Sequence, residues 1–375
     1  MKESSISNQF RPTAARIDLA ALRENFLLAQ SLAGKSVPMV GVVKANAYGH
    51  GAVPVARVLE AAGAGALGVA CPEEGVELRE AGLKAPILIF GGPFAADAAM
   101  LARRALTPVL YNEAQIQALQ SSAAEPLGIY FKVDTGMTRL GFLPQELQRA
   151  LQALWAAPKL RLLGVMSHLA QADLSFEGPT ADQYRAFEEA RALLRREAPE
   201  AKVFHIANSA AILGGKVAAG DWARPGIMLY GSNPNPRFAA GAALKPVMSF
   251  TTAVVSLKTV PKGTAVSYGG TWIAPRESRI AVLPVGYADG YIRHLGNCGE
   301  VLIRGRRAPV VGRVCMDLTM VDVTGIPEAD LGDPVLLWGP GLPAEELAAK
   351  AGTISYELFC AVSRRVPRAY VGEVP

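Results

Sequence analysis

Lys44 stands in the stretch Val40-Gly-Val-Val-Lys-Ala-Asn-Ala-Tyr-Gly-His-Gly51, where an apolar, β-branched run from Met39 to Val43 gives way to a glycine-rich loop. A lysine at the mouth of a dry strand bundle loses hydration. Its ammonium is then disfavoured, and the nucleophilic neutral amine becomes accessible. That is the state a lysine needs to form a Schiff base with an aldehyde cofactor. The same place also suits a lysine that lifts its charge to the surface after a strand.

Other polar residues recur at comparable places. Lys132 closes an apolar run, with Asp134 and Arg139 just beyond it. His168 and His205 stand at strand ends, Asn208 and Ser209 follow His205, and Arg224 ends a further short run. A lone histidine at a strand end also fits a hydrogen-bonded core residue. Structural polar residues, however, have no reason to gather on one rim.

The elements that must position these residues alternate. Eight short apolar runs, at 38–44, 66–70, 86–90, 107–110, 128–134, 162–168, 203–206 and 222–224, are separated by amphipathic stretches. Helices are expected over 18–32, 54–62, 72–81, 112–120, 144–156 and 181–196. Asp18 and Asn112 are placed to cap two of them, and Pro72 and Pro144 fall near the first turns of two others. Strand after strand, each followed by a helix, predicts a parallel (β/α)8, TIM-like barrel. An open doubly wound sheet is the alternative, since the fourth run is short. Gly63-Ala-Gly65-Ala-Leu-Gly68 matches a dinucleotide-binding pattern but leads from a helix into a strand, so it reads as a tight turn.

In such barrels chemistry sits at the C-terminal strand ends, and phosphate sites form from the loops after strands seven and eight. Asn208-Ser-Ala and Arg224-Pro-Gly-Ile227 supply a hydroxyl, a glycine and free backbone N–H groups there. A phosphorylated aldehyde, held at its phosphate and bonded to Lys44, follows from the pattern, and pyridoxal 5′-phosphate fits.

After Gly231-Ser-Asn-Pro-Asn-Pro236 the long helical patterns fade. Short β-rich runs take over at 249–260, 279–285, 300–303, 308–314, 318–323 and 334–337, with a short helix near 345–351. The expected division is residues 1–239 as barrel and 240–375 as a mostly β domain. The chain of 375 residues is 50% hydrophobic and 19% charged, which excludes a disordered protein. No apolar run reaches membrane-spanning length, and the polar start lacks a signal-peptide core. Four scattered cysteines without CxxC spacing fit reduced thiols in a cytoplasm. A net charge of +5 without basic runs interleaved with aromatics points away from nucleic acid.

Eight motifs, in order, resemble bacterial alanine racemase over roughly residues 11–370. They are Val43-Lys-Ala-Asn-Ala-Tyr-Gly-His-Gly51, Val133-Asp-Thr-Gly-Met-Thr-Arg-Leu-Gly141, Ser167-His-Leu-Ala170, His205-Ile-Ala-Asn-Ser-Ala210, Arg224-Pro-Gly-Ile227, Ser267-Tyr-Gly-Gly-Thr-Trp272, Gly286-Tyr-Ala-Asp-Gly290 and Gly312-Arg-Val-Cys-Met-Asp317. The resemblance implies that Lys44 holds pyridoxal phosphate covalently and is the base on the D-substrate face. Tyr268, from the β domain of a second subunit in a head-to-tail homodimer, would be the base on the opposite face. Removing a proton from one face of a planar carbanion and returning it to the other needs two opposed groups. A phenol is a poor base, so nearby cations must help; Arg139 and His168 are the candidates the family offers.

The resemblance further implies that Arg224 donates to the pyridine nitrogen. Arginine does not give up its proton, so the electron sink stays weak. Tyr48, Ser209, Gly226, Ile227 and Tyr356 would bind the phosphate, with His168 and Asn208 also at the cofactor. Arg139 and the Met316 backbone N–H would hold the substrate carboxylate. Lys132 matches a position often carbamylated in the family, and Tyr287, Cys315 and Asp317 would support the site. Alanine would be racemised to supply D-alanine for peptidoglycan. Serine or broad-specificity racemisation is an alternative, as is a non-catalytic cofactor carrier; that carrier family lacks the β domain. Basic amino-acid decarboxylases share the architecture but place a glutamate at the pyridine nitrogen, where this chain has Arg224.

Overall fold

The structure, a computed structural model, describes residues 10–218 and 221–372. Seven parallel strands run in sequence order around one sheet: β2 (Val40–Val42), β3 (Ala66–Val69), β4 (Ile87–Ile89), β5 (Leu106–Leu110), β6 (Leu127–Lys132), β7 (Leu160–Met166) and β8 (Val203–His205); β1 (Ala14–Asp18) lies elsewhere. Strands such as Val-Gly-Val and Ile-Leu-Ile are buried along their whole length, the mark of a parallel sheet covered on both faces. Helices with one buried stripe supply the outer cover; in Leu147–Trp155 the stripe is Leu147, Ala150, Leu151 and Leu154.

The expected eighth strand, 222–224, is reduced to a single bridge, Met39 to Ala223. The ring still closes there. The Trp222 N–H donates to the Phe204 carbonyl, Ala223 to Pro38, and Val40 back to Ala223. Pro225 has no N–H to extend the ladder and offers only its carbonyl, which accepts from Val42 at 3.1 Å.

The expected caps are made: Asp18 accepts from the Ala21 N–H at 2.9 Å and Asn112 from the Gln115 N–H at 2.9 Å. Pro72 begins its helix, and Pro144 opens a 3₁₀ turn before Leu147–Trp155. The 63–68 glycine cluster is the turn between helix Ala52–Ala61 and β3, with Gly63 at φ +92°.

The C-terminal part is mostly β. A six-stranded sheet runs in the order Arg306–Pro309, Glu300–Ile303, Pro334–Trp338, Met248–Ala253, Ala14–Asp18, Arg368–Val371. A three-stranded sheet joins Ser256–Val260, Ser278–Leu283 and Thr319–Asp322. Strict alternation of burial along Met248–Ala253 fits a sheet with one covered face. The expected helix near 345–351 forms as Ala344–Lys350, and a second, Ser355–Ala361, follows it.

Strand β1 (Ala14–Asp18), counted with the barrel in the sequence reading, instead joins this sheet, antiparallel to Met248–Ala253 and parallel to Arg368–Val371. The first nine residues lie outside the described ones. No helix among the described residues is long and apolar enough to cross a membrane. The four cysteines are unpaired.

Candidate active site

Lys44 follows β2 by two residues and is half-buried at the C-terminal rim. The backbone after it departs from anything its residue types announce. Ala45, Asn46, Ala47 and Tyr48 all have φ between 52 and 53°. A left-handed turn of non-glycine residues costs about 1–2 kcal/mol per residue, so the surroundings must enforce it. The Asn46 carbonyl and side chain accept from the Gly51 and Ala52 N–H groups at 2.9 and 2.8 Å. The fully buried His50 sets its Nδ1 between the Ala47 and Tyr48 carbonyls. Gly49, at φ +79°, passes so close to the Phe359 carbonyl that a Cβ would stand 2.1 Å from it.

The turn delivers Tyr48 to the loop that carries Gly226. Its ring packs on Tyr230 at 4.8 Å and near Tyr356 at 5.8 Å between centroids. Its hydroxyl lies over Gly226, where a Cβ would come within 2.8 Å of it. The Ser209 Oγ accepts from the Gly226 N–H at 2.9 Å and weakly from Met228 at 3.4 Å, and Ile227 is fully buried beside them. Asn208 caps the short helix Ser209–Leu213 by accepting from the Ala211 N–H at 3.1 Å.

Arg224 is fully enclosed. Its Nη1 donates to His205 Nδ1 and the His205 carbonyl at 2.6 and 2.7 Å; Nη2 meets the Ser167 carbonyl and His168 Nδ1. Burial lowers its pKa to about 9, so it remains charged at neutral pH. Burial first, then the Arg224 charge, pushes His168 well below the ordinary histidine range. With Nδ1 facing the Arg224 guanidinium, His168 is held towards the neutral form, which favours Arg139 over His168 as the cation expected near the site.

Asp134 orders the loop that carries Arg139. Its carboxylate accepts from the N–H groups of Gly136, Met137, Thr138 and Arg139 at 2.9–3.0 Å. Those bonds hold its pKa down against a desolvation that works the other way. With that carboxylate committed to backbone, Lys44, Lys132, Arg139 and Arg224 share one neighbourhood. Burial and then Arg139 lower the Lys44 pKa; burial, Arg139, Arg224 and Lys44 bring Lys132 to about 8. Among the described residues no acidic side chain makes an ion pair with Lys44, Lys132 or Arg139. Such a cation cluster fits an anionic ligand, and the Tyr48–Ser209–Gly226 cradle fits its phosphate.

The β domain holds the other expected residues apart from these. Ser267, Tyr268, Gly269, Cys315, Met316, Asp317 and Leu318 line one depression, with no barrel residue among them. Tyr268 is 71% and Met316 53% exposed. Tyr287 donates its N–H to the Cys315 carbonyl at 3.0 Å, and Asp317 pairs with Arg365 at 2.7 Å. Within one chain Lys44 and Tyr268 are not brought together.

Sequence reading missed Glu74, His50, Tyr230 and the Thr135–Ser167–Gln183 network behind His168. Glu74 and His50 were findable by extending the rim rule from strand ends to the residues that open the following helices and loops.

A parallel barrel with a cation-rich C-terminal rim, joined to a β domain that presents a tyrosine, defines a two-domain barrel enzyme. Residues 17–234 match the alanine racemase N-terminal domain and residues 247–370 the alanine racemase C-terminal domain. The alanine racemase of Halothermothrix orenii is 43% identical over 371 residues, 97% of this chain and 98% of that protein. A catabolic alanine racemase of Pseudomonas putida is 43% identical over 366 residues, 97% of this chain and all of that protein. The crystal structure of the biosynthetic alanine racemase from Pseudomonas aeruginosa superposes with a TM-score of 0.89 at 41% identity, covering 97% of this chain and 100% of that one. That from Streptomyces lavendulae gives 0.93 at 34% identity, covering 98% and 99%. The chain belongs to the alanine racemase family.

Proposed function

We propose that the protein interconverts L- and D-alanine with pyridoxal 5′-phosphate, using Lys44 and Tyr268 of the partner subunit as bases on opposite faces. The observation that carries this reading is the separation of the two base clusters. The half-buried, pKa-lowered Lys44 lies at the barrel rim, while the exposed Tyr268 points its own depression outward from the β domain. A head-to-tail homodimer is the arrangement that joins them.

Bound at the rim, pyridoxal phosphate supplies the electron sink that acidifies the substrate Cα–H. The chain's residues do the rest. Tyr48, Ser209, Gly226, Ile227 and Tyr356 would hold the phosphate, and Arg224 would donate to the pyridine nitrogen while keeping its proton. Arg139 and the backbone N–H of the partner subunit's Met316 would take the substrate carboxylate. Lys44 would exchange the Cα proton on the D face and the partner subunit's Tyr268 on the L face, with the Arg139 guanidinium as the neighbouring cation. Lys132, brought to about 8, offers neutral amine for carbamylation, and the resulting anion orients Arg139. The division at residue 239/240 falls between the two matched ranges. The role is supply of D-alanine for peptidoglycan in the cytoplasm.

The test is proton NMR and circular dichroism of L-alanine in D2O with protein and cofactor. Loss of the Cα–H signal together with decay of optical activity to zero is expected. Persistence of both in a yellow protein would leave a cofactor carrier or another substrate, with serine tried next.

A further inference from the structure

Helix Pro72–Glu80 opens with Glu73 and Glu74 in its first turn. A glutamate at the third helical position ordinarily reaches back to the N–H of its own cap residue, here Cys71. Glu74 does something else. Its Oε2 accepts from the Ala70 N–H at 2.6 Å, and its Oε1 crosses to the Ala45 N–H at 2.6 Å. Ala70 directly follows β3; Ala45 directly follows Lys44 and is the first left-handed residue. The Ala47 and Gly49 N–H groups find carbonyls within the turn, those of Val43 and Ala45. The Ala45 N–H finds its acceptor in Glu74. One carboxylate thus holds together the end of a barrel strand and the start of an unfavourable backbone turn, through two short charge-assisted bonds.

We propose that Glu74 is a positioning residue: it fastens the left-handed turn to the end of β3 and so fixes where the Lys44 amine and the Tyr48 hydroxyl stand. This rests on the reading of Lys44 as the cofactor lysine. The charge of Glu74 has a second consequence. Burial is the largest influence lowering the Lys44 pKa; the cations Arg139 and Arg224 add to it, Lys132 lies in the same cluster, and Glu74 and an ionised Cys360 act the other way. Neutralising Glu74 leaves the cations less opposed.

The experiment compares wild-type holoenzyme with Glu74→Gln, Glu74→Ala and Glu74→Asp. Borohydride reduction of the wild type, with the labelled peptide located by mass, comes first; a label elsewhere than Lys44 would overturn the cofactor reading and this proposal with it. Three quantities follow for each variant: the cofactor release rate, the pH midpoint of the visible band, and kcat and KM for alanine. Glu74→Gln should release cofactor about ten-fold faster, the size expected for a lost charged hydrogen bond. Its kcat should fall with KM little changed, and its midpoint should move to lower pH. Glu74→Asp should return the midpoint towards wild type while release stays fast, because the shorter side chain keeps the charge but cannot span both N–H groups. Should Glu74→Ala fail to fold, the Gln and Asp variants carry the comparison. Wild-type release rate and midpoint in Glu74→Gln, with Lys44 correctly labelled, would overturn the role of Glu74 alone.

Discussion

Burial sets the chemistry of the rim lysines. Lys132 is almost entirely enclosed, and its pKa falls from 10.5 to about 8 because water is removed and Arg139, Arg224 and Lys44 surround it. Its folded-state value lies below the unfolded one. The unmodified side chain therefore costs stability below about pH 8, and that cost fades as pH rises towards 10.5, where the unfolded chain also loses the proton. Carbamylation as proposed would add carbon dioxide to the neutral amine with loss of a proton, turning the misfit cation into an anion among cations. Bicarbonate should raise the melting temperature at pH near 8 and do far less near pH 6, where the amine is protonated. A melting temperature indifferent to bicarbonate at both values would remove the carbamate. Lys132→Ala should lower kcat, with acetate restoring part of it by lending a carboxylate to Arg139. At Tyr268 the expectation is simpler, since the side chain is exposed and packs little. Tyr268→Phe should slow Cα–H exchange of L-alanine by about a hundred-fold or more, leaving the visible absorbance and fold intact. Full activity in that variant would sink the two-base reading.

At the scale of elements, the turn Lys44–Tyr48 shows where sequence stops being informative. Ala-Asn-Ala-Tyr contains no glycine, yet all four residues are left-handed, enforced by contacts with helix Ser355–Ala361 and the end of β3. Gly49 is the residue that permits this packing. Gly49→Ala would place a Cβ 2.1 Å from the Phe359 carbonyl at φ +79°, pushing the turn away from the helix that carries Tyr356. A loss of about 1–3 kcal/mol in stability is expected, read as a lower melting temperature, together with weaker cofactor retention. An unchanged melting temperature would mean that the turn is not held by that helix. Local signals were legible where local physics decides: buried β-branched runs gave the strands, and Asp18 and Asn112 gave helix starts. They failed where a distant partner decides. Ala14–Asp18 shows no local sign that it pairs with Met248–Ala253 and Arg368–Val371, and Pro225 curtails the eighth strand by removing one N–H.

For the whole molecule, the placement of functional groups forces a question about assembly. The barrel carries Lys44, Tyr48, Arg139 and Arg224 on one rim, while the β domain carries Tyr268 and Met316 in a depression of its own. Strand β1 crosses into the β sheet before the chain enters the barrel, so the two parts are joined by pairing at both ends of the described chain. In the shared-site dimer proposed above, Tyr268 would reach the Lys44 of a second copy, and Tyr287, Leu318 and Ile273 are exposed apolar groups on the same domain. This arrangement makes a quantitative prediction. Lys44→Ala alone and Tyr268→Phe alone should each be inactive, because every site in either homodimer lacks one base. When the two are mixed in equal amounts and allowed to exchange subunits, half of the dimers become hybrids. In each hybrid one site combines the intact Lys44 of one subunit with the intact Tyr268 of the other, and the second site lacks both. About a quarter of the wild-type specific activity should return, as two-fold symmetry and random pairing require. Hybrids verified by differential tagging that remain inactive would place both bases within one chain and sink the shared-site reading.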